Sequence, residues 1–339
     1  MNTKKIREYI ELMRLKALGM STIAVFGALS INGSLQISHF LQLFFIGIVF
    51  NVLGFVLNDY IDFDTDKKSM YSFERPLVKE TISRKAALII SILCYIIIFT
   101  AAFIFFRDFF PMLLLSIAVI LGTIYDCFGK KFIGADIPLA GSIAFFCLFG
   151  AATISHNIGG LTIIISCLLF THVLFFNIIE GGLKDVHNDR KTGAKTIAVF
   201  LGVKTDNPLI IPKTFKVIAI SLELSSAILI FLPFFIIPKL ITFDFWFVPL
   251  TILVVLEIKI LYEVIKMLNI RSFDRAHVTH IIGEQEVRRY MTVPLILLGF
   301  AGIIWAVFLI FLPIIWYLTF VFILQDKILS NPKSFGRIL

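Results

Sequence analysis

Long apolar runs separated by short polar segments repeat along the whole chain. Several of these runs reach the roughly 20 residues that an α-helix needs to cross about 30 Å of hydrocarbon. A membrane β-barrel would instead show short segments of alternating polarity. The pattern therefore predicts an all-α polytopic membrane protein, built as a bundle of about nine transmembrane helices. The predicted spans lie near residues 12–31, 39–58, 86–106, 109–125, 133–153, 158–180, 214–237, 242–265 and 290–324.

The last apolar run, 290–324, is longer than one ordinary crossing requires. At about 1.5 Å per residue, a single helix over this run would extend roughly 50 Å. The run predicts either one helix that continues beyond the bilayer or two crossings broken near Pro313. We favour nine spans and leave ten open.

Composition agrees with this class of protein. Hydrophobic residues make up 58% of the 339 positions and charged residues 16%, and the mean hydropathy is +0.94. Soluble domains are closer to about half apolar and about a quarter charged. We interpret the chain, 1–339, as a single transmembrane domain. The first apolar run lacks a clear cleavage site and further spans follow it, so a retained helix is favoured over a signal peptide.

Lys and Arg are unevenly distributed among the polar segments. Short loops rich in these residues stay on the cytoplasmic side of a membrane. Between the predicted spans, one set of loops carries only Arg107 and Lys239, whereas the alternate set and the N-terminal tail are strongly basic: 59–85, 126–132, 181–213 and 266–289. This predicts a multi-pass protein integral to the cytoplasmic (inner) membrane, with its N-terminus and its long loops in the cytoplasm. The same distribution explains the net charge of +8 without a nucleic-acid partner.

The segment NDYIDFDTD, residues 58–66, places several acidic side chains at the end of the second predicted span. Asn58, Asp62 and Asp66 are spaced i, i+4 and i+8, so they share one face if the helix continues through them. Asp59 and Asp64 are expected to point elsewhere. Carboxylates at a membrane boundary are costly unless a cation or a charged ligand neutralises them.

A second acidic segment, EGGLKDVHNDRKTGAKT at 180–196, ends the sixth predicted span. Asp185 and Asp189 are again four residues apart and can face one point. Two such pairs on separate helices predict a negative central cavity open to the cytoplasmic side. Oxygen ligands of this type suit Mg²⁺, which binds carboxylates together with phosphate oxygens and water. Interleaved basic residues are suited to neutralise those phosphates: Arg75, Lys130, Lys184, Arg190 and Lys195.

Four other interpretations of the acidic residues are less consistent with the sequence. An Asp-rich loop can be a solvated charge run, but two motifs with the same spacing on one membrane face disfavour that. A cation-coupled or proton-coupled transporter would place ionisable groups near the bilayer midplane, where Glu223 and Glu257 are the few candidates. A CDP-alcohol phosphotransferase-like lipid enzyme would carry a D-x-x-D-G-x-x-A-R pattern, which this sequence lacks. A calcium-binding EF-hand loop starting at Asp62 fails because Lys67 stands where glycine is needed.

The acidic motifs resemble those of the UbiA superfamily of intramembrane prenyltransferases. NDYIDFDTD is similar to its N-D-x-x-D-x-x-x-D motif, and DVHNDRKTGAKT to its second D-x-x-x-D motif with a trailing G-x-K-T. ERPLVKETIS resembles R-P-L-x-x-G-x-I-S, and IYDCFGKK resembles a Tyr/Lys element that gives Tyr125 and Lys130. Two residues depart from the pattern. Glu80 replaces a common glycine, and Gly181 stands where some members carry another Asp.

The resemblance implies nine helices and a Mg²⁺-dependent transfer of a prenyl group. The donor would be a polyprenyl diphosphate, and the acceptor would be an aromatic or lipid-precursor molecule. Both would bind to the protein while it is surrounded by membrane lipid. The implied metal ligands, for two Mg²⁺ ions, are Asn58 and the catalytic residues Asp62, Asp66, Asp185 and Asp189. The implied substrate-binding residues are Asn58, Arg75, Tyr125, Lys130, Lys184, Arg190 and Lys195. The acceptor, the prenyl chain length, the oligomeric state and the role of the 266–289 loop and C-terminal tail stay open.

Overall fold

The computed structural model describes residues 3–17, 19–69, 71–205 and 208–324, and these form an all-helical fold. Two 3₁₀ turns, Gly19–Thr22 and Pro238–Leu240, and one π-helical stretch, Phe175–Gly181 (the π segment), interrupt the α-helices. The helices are α1 (Thr3–Leu12), α2 (Ile23–Asn32), α3 (Ile37–Ile61), α4 (Phe63–Asp66), α5 (Arg84–Phe106), α6 (Phe109–Phe128), α7 (Asp136–Ala152), α8 (Gly160–Leu174), α9 (Gly182–Thr192), α10 (Ile197–Phe200), α11 (Lys213–Ile236), α12 (Phe247–Leu268), α13 (Arg275–Ala301) and α14 (Ile303–Leu324).

Six of the described helical stretches are long and apolar enough to cross a membrane. They are Ile37–Ile61, Arg84–Phe106, Phe109–Phe128, Gly160–Thr192, Lys213–Ile236 and Ile303–Phe320. Two further apolar helices, α2 and α7, are shorter, and α12 and α13 carry several charged residues. The protein is therefore a multi-pass helical bundle, and nine crossings remain a prediction.

The ends of the chain differ most from the predicted spans. The predicted first span, 12–31, is divided: α1 ends at Leu12, and α2 begins only at Ile23. The long run 290–324 is divided at Gly302, whose φ of 84° ends α13, whereas Pro313 lies inside α14. A break near Pro313 is thus wrong. Glycine adopts this backbone region without steric cost, and a helix interior in a bundle tolerates proline.

Much of the predicted loop 266–289 is helical. The Asp274 side chain caps α13 by accepting a hydrogen bond from the Ala276 amide at 2.9 Å, so the helix begins at Arg275. The predicted loop 181–213 likewise contains α9 and α10. In both regions, helices continue into segments whose charges made the sequence look like loop.

The helices that carry the two acidic motifs lie at the centre of the bundle. The apolar part of α3 is 56% buried, and that of the stretch from α8 through α9 is 61% buried. The corresponding values are only 28% for α5 and 22% for α14, which present large apolar side chains outward. Apolar faces of this extent are stable against lipid or another apolar surface. The motif helices are thus surrounded by a lipid-facing ring.

Two glycines allow α2 and α7 to pack backbone against backbone. A Cβ atom at Gly27 would lie 1.9 Å from the Cys147 carbonyl oxygen, and one at Gly150 would lie 1.8 Å from the Ala24 carbonyl oxygen. Small residues at such crossings permit the close approach on which helix association in membranes depends. This contact fixes the first half of the bundle.

The last helix returns to the start of the chain. The indole Nε1 of Trp316 in α14 donates a hydrogen bond to the Leu15 carbonyl at 2.6 Å. In α13, the Tyr290 hydroxyl donates to the Leu309 carbonyl at 3.0 Å and lies 3.2 Å from the Thr22 hydroxyl. The bundle is therefore closed by contacts between its first and last segments.

Candidate active site

The first acidic motif continues the helix of α3 almost without interruption. The Asp62 amide donates to the Asn58 carbonyl at 2.9 Å, and the Asp66 amide donates to the Asp62 carbonyl at 2.8 Å. Asn58, Asp62 and Asp66 therefore follow one another at successive turns, as their spacing predicts. Asp64 faces outward, with 74% of its side chain exposed.

Asp59 does not point away from the other acids, and this expectation from the sequence is wrong. Its side chain is only 4% exposed, and its Oδ1 accepts hydrogen bonds from Arg75 at 2.9 Å and from Arg14 at 3.2 Å. The same Arg75 nitrogen also pairs with Asp66. One guanidinium thus bridges two carboxylates that are seven residues, or about two helical turns, apart.

Lys130, from the segment between α6 and α7, pairs with Asp62 and also lies near Asp66. Its Nζ lies 2.6 Å from Asp62 Oδ2 and 3.8 Å from Asp66 Oδ1. Asp66 also accepts a hydrogen bond from the Ser72 hydroxyl at 3.1 Å. Burial raises the pKa of the Asp66 carboxyl above its ordinary value, even though Arg75 and Lys130 act in the opposite direction.

Burial alone would lower the pKa of the Arg75 guanidinium, but Asp59 and Asp66 outweigh that effect, so its pKa is raised. Arg75 therefore stays positively charged across the physiological pH range. A fixed positive charge beside three acidic side chains is suited to hold a polyanionic ligand.

The second acidic motif lies on α9, which continues from the π segment because the Gly182 amide donates to the Asn177 and Ile179 carbonyls. Asp185 Oδ1 accepts a hydrogen bond from Arg275 at 2.8 Å, and its Oδ2 lies 3.6 Å from Lys184 Nζ. Arg275 is further held over the ring of Tyr71 at 4.2 Å.

Gly193 explains why a glycine follows the second motif. Its φ of 74° ends α9, and the turn brings the next residues back across the bundle. As a result, the Lys195 amide donates to the Lys130 carbonyl at 2.9 Å. Asp189, one turn before Gly193, accepts a hydrogen bond from the Thr196 hydroxyl at 3.2 Å.

Lys130 therefore connects the two motifs. Its side chain pairs with Asp62 of the first motif, and its backbone bonds to the segment that follows the second. Its positive charge also acts on Asp185 and Asp189, and the charge of Asp62 reaches Asp189. We call this region, defined by Asp62, Asp66, Asp185 and Asp189, the motif end of the bundle.

The remaining predicted residues have more peripheral contacts. Asn58 lies against the buried carboxyl of Asp126. The Tyr125 hydroxyl donates to Asn177 Oδ1 at 3.3 Å. Arg190 is exposed, and its Nε donates to the Val203 carbonyl at 2.8 Å, which holds α9 to the segment after α10.

An open cavity of about 440 Å³ lies beside the second motif. Its polar lining comes from Asp189, Arg190 and Lys195, and its apolar side includes Ile133 and Phe200. A lining that combines charged and apolar side chains suits a ligand with a polar head and a hydrocarbon part.

The donor atoms at the motif end fit Mg²⁺ in chemical type, since they are carboxylate and amide oxygens. Within the described residues, no three His, Cys, Asp or Glu side chains converge closely enough to hold a metal ion by themselves. Lys and Arg side chains instead lie against Asp62, Asp66 and Asp185. Metal binding there requires these cations to move off the carboxylates.

The pattern of the UbiA prenyltransferase family matches residues 19–277, which is most of the chain. The chain belongs to the UbiA prenyltransferase family. A UbiA enzyme with several apolar helices is a multi-pass integral membrane prenyltransferase, and the centrally placed motif helices described above belong to that fold.

Individual relatives agree with this assignment. The chain is 28% identical over 205 residues to the digeranylgeranylglyceryl phosphate synthase of Pyrococcus furiosus, which covers 59% of this chain and 71% of the relative. A solved structure from work on digeranylgeranylglyceryl phosphate synthase in membranes is 19% identical, with a TM-score of 0.65 over 88% of this chain and 99% of its own. A UbiA homolog from Archaeoglobus fulgidus bound to GPP and Mg²⁺ is 17% identical, with a TM-score of 0.59 over 87% and 99%.

Within this UbiA fold, Glu80 occupies a glycine-like position. Its φ of 58° lies in the left-handed region, so the departure from the family's common glycine leaves the turn itself in place. The Lys67 ammonium lies 2.7 Å from the Glu80 carboxylate across the turn. An exposed ion pair of this type offsets only part of the backbone strain.

Sequence reasoning missed several residues of the motif end. Arg14 and Arg275 come from segments with no recognisable motif, and only the folded chain brings them to Asp59 and Asp185. Asp126 carried a usable signal, because it is a carboxylate that directly follows Tyr125 in the Tyr/Lys element. Its burial beside Asn58 marks it as part of the same region.

Proposed function

We propose that this UbiA enzyme transfers a prenyl group from an allylic diphosphate to the free hydroxyl of a lipid-precursor acceptor in the membrane, with Mg²⁺ and with release of diphosphate. The observation that carries the proposal is the connection of both acidic motifs through Lys130. A diphosphate held between them would contact carboxylate-bound metal on one side and ammonium and guanidinium groups on the other.

Under this proposal, Asn58, Asp62, Asp66, Asp185 and Asp189 would hold the metal. Bound Mg²⁺ would supply positive charge that stabilises the negative charge developing on the departing diphosphate. Arg75, Lys130 and Arg275 now pair with these carboxylates. Each can turn its N–H donors toward phosphate oxygens instead, since Arg and Lys bind both groups with similar geometry.

The position of the motif end supports these roles for the carboxylates and the basic residues. It lies where α3 and α9 leave the apolar part of the bundle, so a diphosphate head can stay among charged groups while its tail remains in hydrocarbon. Departure of the diphosphate leaves an allylic cation, which water would quench. The apolar packing around α3 and α8 would exclude that water.

The choice of a lipid-precursor acceptor rests on the similarity to digeranylgeranylglyceryl phosphate synthases. An acceptor of that kind carries a prenyl chain, a phosphate and a free hydroxyl on a glycerol unit. Its prenyl chain fits the lipid-facing helices, and its phosphate fits the basic residues around the cavity beside Asp189. An aromatic acceptor is the alternative that the experiment below distinguishes.

The test is a radiolabelled allylic-diphosphate assay with the purified protein in detergent or liposomes. Acceptors are a prenylglyceryl phosphate and an aromatic acid, each tested with Mg²⁺, with EDTA and with Mg²⁺ restored. We expect label in the glyceryl ether, loss of activity with EDTA and recovery on Mg²⁺ addition. Product formation only with the aromatic acid would refute the acceptor, and EDTA-resistant activity would refute the metal requirement.

We also propose that the motif end faces the cytoplasm, because the loops that form it carry most of the interhelical Lys and Arg residues. Single cysteines placed at Lys68 and at Lys239 in a chain without its native cysteines would report the two faces. Labelling of the Lys68 position from the outside of intact cells would contradict this orientation.

A further inference from the structure

Asp59 is a buried acid of the first motif to which the proposed function gives no role. It directly follows Asn58, and its side chain is only 4% exposed. At about 100° per residue, it lies about 60° around the helix from Asp62 and about 20° from Asp66. Asp59 therefore lies at the edge of the face that carries the proposed metal ligands, about two turns before Asp66.

Two arginines share one oxygen of Asp59. Its Oδ1 accepts a hydrogen bond from Arg75 Nη1 at 2.9 Å and another from Arg14 Nη2 at 3.2 Å. Arg75 comes from the segment between α4 and α5, whereas Arg14 comes from the segment that follows α1. The carboxylate of Asp59 thus joins the start of the chain to the segment that follows the first motif.

Arg14 is anchored by groups that belong to the bundle rather than to the motif end. Its guanidinium lies 4.3 Å from the centre of the Phe55 ring, an arrangement that stabilises a cation. The carbonyl of the next residue, Leu15, accepts the hydrogen bond from Trp316. A ligand at the motif end would leave these contacts in place, so Asp59 would keep a cationic partner and stay ionised although it is buried.

Arg75 differs from Lys130 in the carboxylates that it holds. The Lys130 ammonium pairs with Asp62 and Asp66, which are both proposed metal ligands. Mg²⁺ bound to these carboxylates would take both partners from Lys130. Arg75 pairs with Asp66 and Asp59 through the same Nη1 atom, so a metal ion on Asp66 would leave its contact with Asp59 intact.

This contact matters because a long side chain loses rotamer freedom when it binds a ligand. A guanidinium has five N–H donors in a planar fork, and a carboxylate that holds one nitrogen leaves donors on the other nitrogens for phosphate oxygens. An arginine fixed beforehand binds more tightly than one that must first be ordered. Asp59 therefore supplies a fixed attachment for Arg75 beside the proposed diphosphate site.

We propose that Asp59 is a positioning residue for the allylic diphosphate. It holds the Arg75 guanidinium beside the diphosphate site while Mg²⁺ occupies Asp66, and Arg14 keeps Asp59 charged and in place. This inference rests on the proposed function for the presence of metal and diphosphate at the motif end. Asp59 acts on the diphosphate only through Arg75.

The test is a double-mutant cycle on the binding of inorganic pyrophosphate, measured by titration calorimetry with purified protein in detergent at a fixed Mg²⁺ concentration. We expect Asp59→Asn to weaken binding about 10-fold or more, as loss of a hydrogen bond to a charged group does. Arg75→Gln should weaken it at least as much. The double variant should bind like Arg75→Gln alone, because Asp59 then has no arginine to position.

Asp64→Asn is the matched control, because it makes the same chemical change in the same motif on an exposed side chain. It should bind pyrophosphate like the unmodified protein. Asp59→Glu keeps the charge but moves the carboxylate by one methylene group, so it should give an intermediate loss. It takes the place of Asp59→Asn in the cycle if thermal unfolding shows that Asp59→Asn does not fold.

Three results would overturn the inference. Unchanged binding by Asp59→Asn, with or without a lower unfolding midpoint, would leave Asp59 with a structural role at most. Tighter binding would show that Asp59 competes with the phosphates for Arg75. Losses that multiply in the double variant would show that Asp59 acts independently of Arg75, as a metal ligand would.

Prenyl transfer with labelled donor gives a second readout that separates this inference from the proposed function. Asp59→Asn should raise the KM for the allylic diphosphate by about the factor by which it weakens pyrophosphate binding. If the unmodified protein binds pyrophosphate with Mg²⁺ but transfers no prenyl group to either acceptor, the proposed function is wrong, and the binding cycle still decides the role of Asp59. Failure of the unmodified protein to bind pyrophosphate would overturn the inference itself.

Discussion

The motif end and a group of charged side chains inside the bundle each contain four carboxyl groups, but the partners of these groups differ. The inner group, which we call the interior cluster, consists of Glu180, Glu223, Glu257, Glu286 and Arg289. At the motif end, Asp62, Asp66 and Asp185 each contact a Lys or Arg side chain from another segment. In the interior cluster, Arg289 is shared, and Glu180 has no cationic hydrogen-bond partner among the described residues. Paired carboxylates with displaceable cations suit the exchange of charged ligands, whereas a buried carboxyl without a cationic partner costs folding free energy unless it is protonated.

The largest expected effect comes from removing charge at the motif end. Asp62→Asn and Asp185→Asn should each lower turnover by about 10³-fold or more, because a group that stabilises transition-state charge is lost. The protein should stay folded, since both side chains are partly exposed and an amide fits the same space. The measurement is labelled-product formation together with thermal unfolding.

Asp64→Asn is the control for this experiment, because Asp64 belongs to the same motif but is 74% exposed and pairs only loosely with Arg84 at 3.4 Å. It should retain activity. If Asp62→Asn turned over as fast as the unmodified protein, the proposed role of Asp62 in metal binding would be wrong, and Asp62 would be no more important than the solvated Asp64.

The next effect concerns stability and belongs to the interior cluster. Arg289→Met leaves Glu223 buried without its cation, which should lower the free energy of unfolding by about 3–5 kcal/mol. Adding Glu223→Gln should restore most of this loss, since the uncompensated charge is removed. Unfolding in mixed detergent, monitored by helical content, measures both variants.

An ion pair on the protein surface is the control for the buried Arg289–Glu223 pair. Lys79 and Glu74 also form a contact, but both are solvated, so Glu74→Gln should leave the unfolding transition unchanged. If Arg289→Met were equally harmless, the interior cluster would be better solvated than its burial indicates.

A smaller effect tests the partner of the second motif. Arg275→Gln removes the guanidinium that pairs with Asp185 at 2.8 Å and that, under the proposed function, turns to the diphosphate. It should lower turnover about 10- to 100-fold, as loss of a hydrogen bond to a charged group does, while the protein stays folded. Steady-state kinetics across a titration of the allylic diphosphate measures it.

Arg271→Gln, in the segment between α12 and α13, is the matched control. Arg271 is exposed, and its contact with Leu209 is made by its backbone carbonyl. It should behave like the unmodified protein. A similar loss in both variants would point to general attraction of the diphosphate by basic residues rather than to a specific contact with Arg275.

The smallest effect lies in the turn after the first motif. Glu80→Gly relieves the left-handed strain at φ 58°, which costs a non-glycine residue about 1–2 kcal/mol. The added freedom of glycine in the unfolded chain and the loss of the Lys67 contact oppose this gain. We expect a slightly higher unfolding midpoint and unchanged turnover, whereas a clear destabilisation would show that the ion pair with Lys67 dominates.

Local patterns predicted the elements that depend on local properties. The helix through Asn58, Asp62 and Asp66 follows from their four-residue spacing, and the apolar runs predicted helices such as α3, α5 and α11 closely. Family membership and prenyltransferase activity followed from the motifs and are confirmed. These features need no knowledge of distant contacts.

Features that depend on tertiary partners were not accessible. Asp59 was expected to point away because it directly follows Asn58, and the sequence does not show that Arg14 and Arg75 pair with it. The start of α13 was placed too late because hydropathy treats Arg289 as a loop residue, although Glu223 balances its charge inside the bundle. The break at Gly302 was missed because proline was weighed above glycine as a helix breaker.

The contact between Trp316 and Leu15 has a consequence for how the chain is made. A ribosome releases residue 15 roughly three hundred residues before its partner emerges. The carbonyl of Leu15, next to the Arg14 that pairs with Asp59, therefore lacks this partner until nearly the whole chain has been synthesised. Assembly at the motif end is tied in this way to completion of synthesis, because a chain that stops before Trp316 cannot form this hydrogen bond.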